Sequence, residues 1–218
     1  MFYISIEMPK SEFKNIYLIS YKKNGDWNPV KYESEKRFKE NGFVVTTFEG
    51  YSLKEHPDIK PNQVCYRNIQ KFFTENPSLL KKNVSGFLIS EDDSYVADFF
   101  NPKFLQTRLE SVNDYQSKII RVGYQKILKY KVSKEHPRGY YVVGTQLLWF
   151  PKKSIKTIMD EFQTRRAQHL NGFLSKNINL DVELLDSEEQ IRNKNKYVFE
   201  IEHLSTTTGK IRRGKKLN

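Results

Sequence analysis

Ser85-Gly86-Phe87-Leu88-Ile89-Ser90-Glu91-Asp92-Asp93 joins a short apolar run to three consecutive carboxylates. A run of this length and composition, bounded by polar residues, predicts a buried strand. Where strands alternate with helices, ligands bind beyond the strands' carboxyl ends, and that is where Glu91, Asp92 and Asp93 fall. Like charges a few ångströms apart repel and raise one another's pKa. A divalent cation would relieve that repulsion, and hard carboxylate oxygens suit Mg2+ or Mn2+, which commonly bridge one or two carboxylates to nucleotide phosphates. Strand alternation puts Glu91 and Asp93 on one side and Asp92 on the other. Taken alone, the three acids read first as a solvated surface turn, and it is their context that points to a cation.

The neighbouring segments supply the frame. Asn15-Ile-Tyr-Leu-Ile-Ser-Tyr21 reads as a second buried strand, and Phe2 to Ile6 alternates in a similar way. Val30 to Asn41 reads as an amphipathic helix stopped by Asn41-Gly42, and Phe43 to Phe48 as a β-branched strand ending at Glu49-Gly50. Tyr51 to Pro61 is a polar loop. Asn62 to Thr74 carries helical spacing through Val64, Cys65, Ile69, Phe72 and Phe73, and Asn76-Pro77 ends it. Gly139 to Phe150 predicts one or two central strands, with Pro151 opening a helix through Ile155, Ile158, Met159 and Phe162. Leu170 to Leu174 adds a helical turn, and Asp181 to Leu185 and Tyr197 to Ile201 are edge or peripheral strands. This alternation predicts an α/β fold, a mixed, mainly parallel sheet flanked by helices, in a single domain over 1–208 with a basic tail over 209–218.

Composition agrees. A chain of 218 residues holds one domain, or one with a small appendage. Its hydrophobic share is only 38%, but 14% of residues are aromatic, and bulky rings close a core with fewer residues, which excludes overall disorder. No apolar stretch approaches the roughly 18 residues of a membrane span, and Met1 to Glu7 lacks a basic region leading into an apolar run, so neither a span nor a signal peptide is expected. One cysteine, Cys65, excludes an internal disulfide and a multi-thiolate zinc site, and a cytoplasmic location is expected. Cys65 itself reads most simply as a small buried apolar residue, and Trp149 as core, whereas Trp27 is free to stack on a sugar or base.

The formal net charge is +11, and it is unevenly spread. Ile120 to Lys176 carries 12 Lys and Arg against three acids, Asp181 to Glu202 reverses to seven acids against three bases, and the last ten residues hold five cations and no acid. Such excess attracts polyanions, although solvated lysine faces produce the same count.

In order and spacing, the pieces from about residue 15 to 185 resemble glycosyltransferase family 25, the bacterial lipooligosaccharide and collagen sugar transferases. Asn15 to Tyr21 is similar to the family's opening strand, Phe48-Glu49-Gly50 to its strand ending in an acid and glycine, and Val64-Cys65-Tyr-Arg-Asn-Ile69 to its Gly-Cys helix. Phe87 to Asp93 resembles the acidic metal motif, Val143 to Ser154 the strand and helix on the acceptor side, and His169-Leu-Asn-Gly-Phe-Leu174 the family's later helix. Two positions depart from the pattern: Arg67-Asn68 stands where a histidine is expected, and Asn171 where an aspartate is.

The resemblance implies a GT-A type fold and a nucleotide-sugar donor such as a UDP-sugar, contacted by Ser20, Tyr21, Glu49, Glu91, Asp93 and Thr145. It further implies Mn2+ or Mg2+ on Glu91 and Asp93, with His169 as a third ligand or phosphate contact. Asp92, Asp160 (beside Glu161) and Asp181 are the candidate catalytic acids.

With the basic middle segment on the acceptor side, the resemblance extends to phage enzymes that glycosylate hydroxymethylcytosine in duplex DNA, which would place the chain in the host cytoplasm. Arg138, Lys152, Lys153, Arg165, Arg166, Lys210, Arg212 and Arg213 are then the expected nucleic-acid contacts, and Tyr140 or Tyr141 the stacking surface for an extruded base. Sugar transfer to lipooligosaccharide or protein keeps the donor site and changes the acceptor. A non-catalytic DNA-binding phage accessory protein is the alternative of another class. Oligomeric state is not legible in the sequence.

Overall fold

A computed structural model of the chain describes residues 10–52, 54–60, 63–96, 98–123, 126–129, 131–135, 137–164, 169–185, 201–204 and 211–212. In chain order the elements are α1 (Ser11–Lys14), β1 (Asn15–Ser20), β2 (Lys22–Lys23), β3 (Asp26–Trp27), α2 (Pro29–Glu40), β4 (Val44–Glu49), α3 (Val64–Glu75), β5 (Gly86–Glu91) and β6 (Ser94–Val96). There follow α4 (Pro102–Glu110), β7 (Ile119–Gly123), β8 (Lys126–Lys129), β9 (Tyr140–Val143), β10 (Leu147–Pro151), α5 (Ile155–Thr164), α6 (Leu170–Lys176), β11 (Val182–Leu184), β12 (Ile201–Leu204) and β13 (Ile211–Arg212).

Six strands form the central sheet in the order β11-β7-β10-β5-β1-β4. β4, β1 and β5 pair in parallel, as do β7 and β11, while β10 runs antiparallel to both neighbours. The expected α/β fold with a mixed, mainly parallel sheet flanked by helices is what the chain forms. Alternating side chains along the central strands feed two cores. Phe87, Ile89, Leu148 and Phe150 face Phe72 of α3, Phe162 of α5 and Phe173 of α6. Leu88, Leu147 and Trp149 face Phe13 of α1, Phe38 of α2 and Leu105 of α4. Each large side chain so buried contributes about 1.5–3 kcal/mol. Gly86 is small of necessity, since a Cβ there would lie 2.4 Å from Trp149 Cζ2 and 2.6 Å from the Phe150 carbonyl.

Two expectations are corrected. Gly139 to Phe150 is two strands in different sheets: β9 pairs with β8, and only β10 is central. Gly144, at φ +95°, supplies the left-handed turn that separates them. Pro151 ends β10 instead of opening a helix, and a short 3₁₀ turn over Lys152–Ser154 precedes α5. The proline is tolerated because it terminates the strand. The expected strand at Phe2 to Ile6, most of that at Tyr197 to Ile201, and most of the basic tail lie outside the described residues.

Candidate active site

Because β1, β4 and β5 are parallel, their carboxyl ends share one edge of the sheet, with Ile19 level with Glu91 and Ser20 level with Glu49. A cavity of about 140 Å³ opens there, lined by Ser20 and Tyr21 at the end of β1, Glu91, Asp92 and Asp93 at the end of β5, Val64, Cys65 and Asn68 of α3, and Thr145. Like β5, α3 is set by its apolar face, on which Tyr66, Ile69, Phe72 and Phe73 are buried, and this leaves its first turn against the carboxylates.

Several hydrogen bonds shape the acidic turn. Ser20 Oγ (2.7 Å) and Asn28 Nδ2 (2.8 Å) both donate to Asp92 Oδ2. Asn28 sits at the head of α2, where Pro29 occupies the first helical position, so its side chain serves the turn instead of capping the helix. Ser34 Oγ donates to the carbonyls of Asp92 (2.7 Å) and Ser94 (2.6 Å). Thr145 Oγ1 donates to Glu91 Oε1. The Gln146 carbonyl accepts from the Glu91 amide (3.0 Å), Ser90 Oγ (2.9 Å) and Ser94 Oγ (2.7 Å). Three segments thus grip the acids: the end of β1, the first half of α2 with its preceding Asn28, and the turn into β10.

The electrostatics follow from this packing. Burial, opposed by the Ser20 bond and reinforced by Asp93, raises the Asp92 carboxyl from 3.8 to about 6. Burial pushes the Cys65 thiol well up, with Glu91, Asp93 and Asp92 adding to it, so this thiol is held protonated and unreactive. The Tyr21 hydroxyl rises through burial, then through Asp92 and Asp93.

Of the residues expected from sequence, the pocket brings together Ser20, Tyr21, Glu91, Asp92, Asp93 and Thr145. Others fall elsewhere. Glu49 pairs with Lys22 Nζ at 2.8 Å and is not a lining residue. His169 caps α6, its Nδ1 accepting from the Asn171 amide at 3.2 Å, and burial and then Arg121 lower its pKa. Among the described residues no three His, Cys, Asp or Glu side chains are placed to hold a metal, so His169 does not complete a set with Glu91 and Asp93. Asp160 is solvent-exposed on α5, while its neighbour Glu161 accepts from Asn177 (2.8 Å) and Asn179 (2.6 Å). Asp181 precedes β11, which is parallel to β7, and therefore stands at the amino edge of the sheet, opposite the pocket.

The basic candidates are displaced for the same topological reason. β10 runs antiparallel, pairing Pro151 with Gly86, so Lys152 and Lys153 emerge at the amino edge. There Lys152 Nζ donates to the Lys82 carbonyl and Lys153 Nζ to Asp114 at 3.3 Å. Arg138 Nη2 donates to the carbonyls of Asn177 (2.9 Å) and Leu180. Tyr140 and Tyr141 lie on β9, away from the central sheet's strand order. Arg212 lies on β13, and Arg165, Arg166, Lys210 and Arg213 fall outside the described residues.

Sequence reading missed Arg121 and the place of Asn68. Arg121 is 1% exposed and donates to the Asn171 carbonyl (3.0 Å), Asn171 Oδ1 (3.2 Å), Ser175 Oγ (3.1 Å) and the Gly144 carbonyl (3.4 Å). Its signal was an arginine inside the apolar run Ile119 to Val122. Asn68 Oδ1 accepts from the Tyr51 amide at 2.7 Å. The Asn68 side chain fills the space a Cβ at Gly50 would take, 2.7 Å away, which ties the departure at Asn68 to the glycine ending Phe48-Glu49-Gly50.

No protein-family model and no curated protein matches the chain. Among solved structures it is similar to a glycosyltransferase involved in the glycosylation of the major capsid of PBCV-1, with 16% identity, TM-score 0.40, and coverage of 84% of this chain and 76% of that one. It is similar also to the inositol-1-phosphate CTP transferase from T. maritima (14%, 0.41, 82% and 87%). A third is a UDP-glucose pyrophosphorylase complexed with UDP-glucose (10%, 0.34, 87% and 89%). At these scores the fold rests on the strand order above, not on the neighbours. Among the described residues no helix is long and apolar enough to cross a membrane.

Proposed function

We propose that the chain is a GT-A-like glycosyltransferase that moves a sugar from a nucleotide-sugar donor, such as a UDP-sugar, to an acceptor hydroxyl. The observation that carries this reading is the run of three carboxylates closing β5, lining one pocket with Ser20, Tyr21 and Thr145 at the carboxyl edge of parallel strands. The likeness of its motifs to glycosyltransferase family 25 supports it. A hard divalent cation fits the donor set, because Mg2+ and Mn2+ are commonly held by only one or two carboxylates together with substrate phosphates. Glu91 and Asp93 would hold it, and when bound it would screen the diphosphate as that group departs.

The protein's own groups do the rest. Ser20 and Asn28 fix Asp92, which keeps the turn's backbone in place and makes Asp92 an orienting group in preference to a base. Tyr21, Val64, Cys65 and Asn68 form the wall that would receive the nucleoside. Asp160 and Asp181 are not pocket residues, so neither is assigned the acceptor's proton.

Hydroxymethylcytosine in duplex DNA remains the acceptor to test first, on the strength of the +11 net charge and the cations Arg165, Arg166, Lys210, Arg212 and Arg213. Lys152, Lys153 and Arg138 no longer support it, given their partners above. The test is incubation of the full chain with Mn2+, a panel of nucleotide sugars, and plain or hydroxymethylcytosine-containing duplex, weighed by mass spectrometry. A duplex heavier by one hexose supports the reading; transfer to glycan or protein acceptors alone removes DNA; and absence of both donor hydrolysis and transfer with every donor removes the transferase.

A further inference from the structure

We propose that Thr145 is a positioning residue, which acts on the bound cation and donor only through Glu91. The inference rests on the transferase reading above and concerns how its carboxylate is aimed. Thr145 is 4% exposed and its hydroxyl donates to Glu91 Oε1. A glutamate at the end of a strand has three side-chain torsions to settle, and beside two further acids it would turn outward to water. A fixed donor on one oxygen holds the carboxylate in the pocket.

The donor is itself held rigid from both sides. On one side the buried Arg121 guanidinium reaches the Gly144 carbonyl at 3.4 Å while gripping Asn171 and Ser175 of α6. On the other, the Gln146 carbonyl collects the Glu91 amide and the hydroxyls of Ser90 and Ser94. The hydroxyl therefore cannot follow a wandering carboxylate; the carboxylate is brought to the hydroxyl. Held this way, Thr145 has no need to touch the donor itself, which is how its position would otherwise be read.

Thr145→Val keeps shape and removes the hydroxyl, whereas Thr145→Ser keeps the hydroxyl. Mn2+ binding in the presence of uridine diphosphate, followed by electron paramagnetic resonance without turnover, is the readout. About tenfold weaker Mn2+ binding is expected for Thr145→Val, the scale of one hydrogen bond to a charged group, with Thr145→Ser within about twofold of the parent. Thr145→Ala is read in the same way should the valine variant not fold. Parental binding by a folded valine or alanine variant, with Glu91→Gln strongly impaired, overturns the positioning role and leaves the transferase reading standing. Parental chain and Glu91→Gln alike failing to bind Mn2+ overturns both. Weakened binding in the serine variant equal to that in valine also overturns it, since packing and not the hydroxyl would then be responsible.

Discussion

Apart from the Lys22–Glu49 pair at the end of β4, the two edges of the central sheet treat charge in opposite ways. At the amino edge, acids and bases are matched: Lys118 meets Glu183 at 2.7 Å, Lys10 meets Glu110 at 3.0 Å, and Lys153 meets Asp114 at 3.3 Å. Hydrogen bonding to Glu110 raises the Lys10 pKa, that to Glu183 raises Lys118, and Ser117 and then Lys153 lower Asp114. At the carboxyl edge, three consecutive acids are packed against hydroxyls and amides, and burial moves Asp92 the other way, to about 6. Paired charges stabilise a surface, whereas like charges gathered in a pocket cost stability unless a ligand compensates. The difference separates scaffold from site.

The largest effect expected is one that breaks the amino edge. Gly86→Val forces a side chain into Trp149 and the Phe150 carbonyl, and a loss of about 3 kcal/mol is expected, visible as a lowered urea midpoint. Next is the carboxyl edge, where Asp93→Asn is expected to cut donor turnover about a hundredfold with no loss in urea midpoint, since it removes repulsion. Equal loss of stability and turnover would make the acids structural and erase the contrast.

Asp92 sharpens it further. A carboxyl raised from 3.8 to about 6 binds its proton more tightly in the folded chain than in the unfolded one. Stability should therefore fall as pH rises from about 4 to about 6 and level off above, by about 2 kcal/mol once solvent access through the pocket is allowed for. Asp92→Asn keeps an oxygen for Ser20 and Asn28 and should flatten the slope; an unchanged profile of unfolding midpoint against pH would contradict this. The smallest effect is at the amino edge, where Lys153→Ala should change stability by less than about 0.5 kcal/mol, because the pair with Asp114 is exposed.

Much of this molecule is legible in its residues. β1, β4 and β5 announce themselves as apolar or β-branched runs, and α2 and α3 are closed by Asn41-Gly42 and Asn76-Pro77. The pocket acids follow from one strand and its continuation. Strand direction, by contrast, has no signature in composition. Leu147 to Phe150 reads the same whichever way it runs, and its antiparallel course is what carries Lys152 and Lys153 to the far edge. Asp181 follows the same rule, since an acid beside a strand serves a pocket only at the correct end. Arg121 counts as one more surface cation in any tally of charge, and only the fold reveals it as a buried clamp.

β10 has a consequence of its own. It begins directly after the turn that steadies the acidic residues, lays the indole of Trp149 over Gly86 from its middle, and ends with Pro151 level with that glycine. Five residues thus act as a tie-rod between the chemistry and the opposite rim, and inserting or deleting one of them would flip Trp149 out of its seat while dragging Thr145 from its post. Such a segment can exchange side chains over generations but cannot change length.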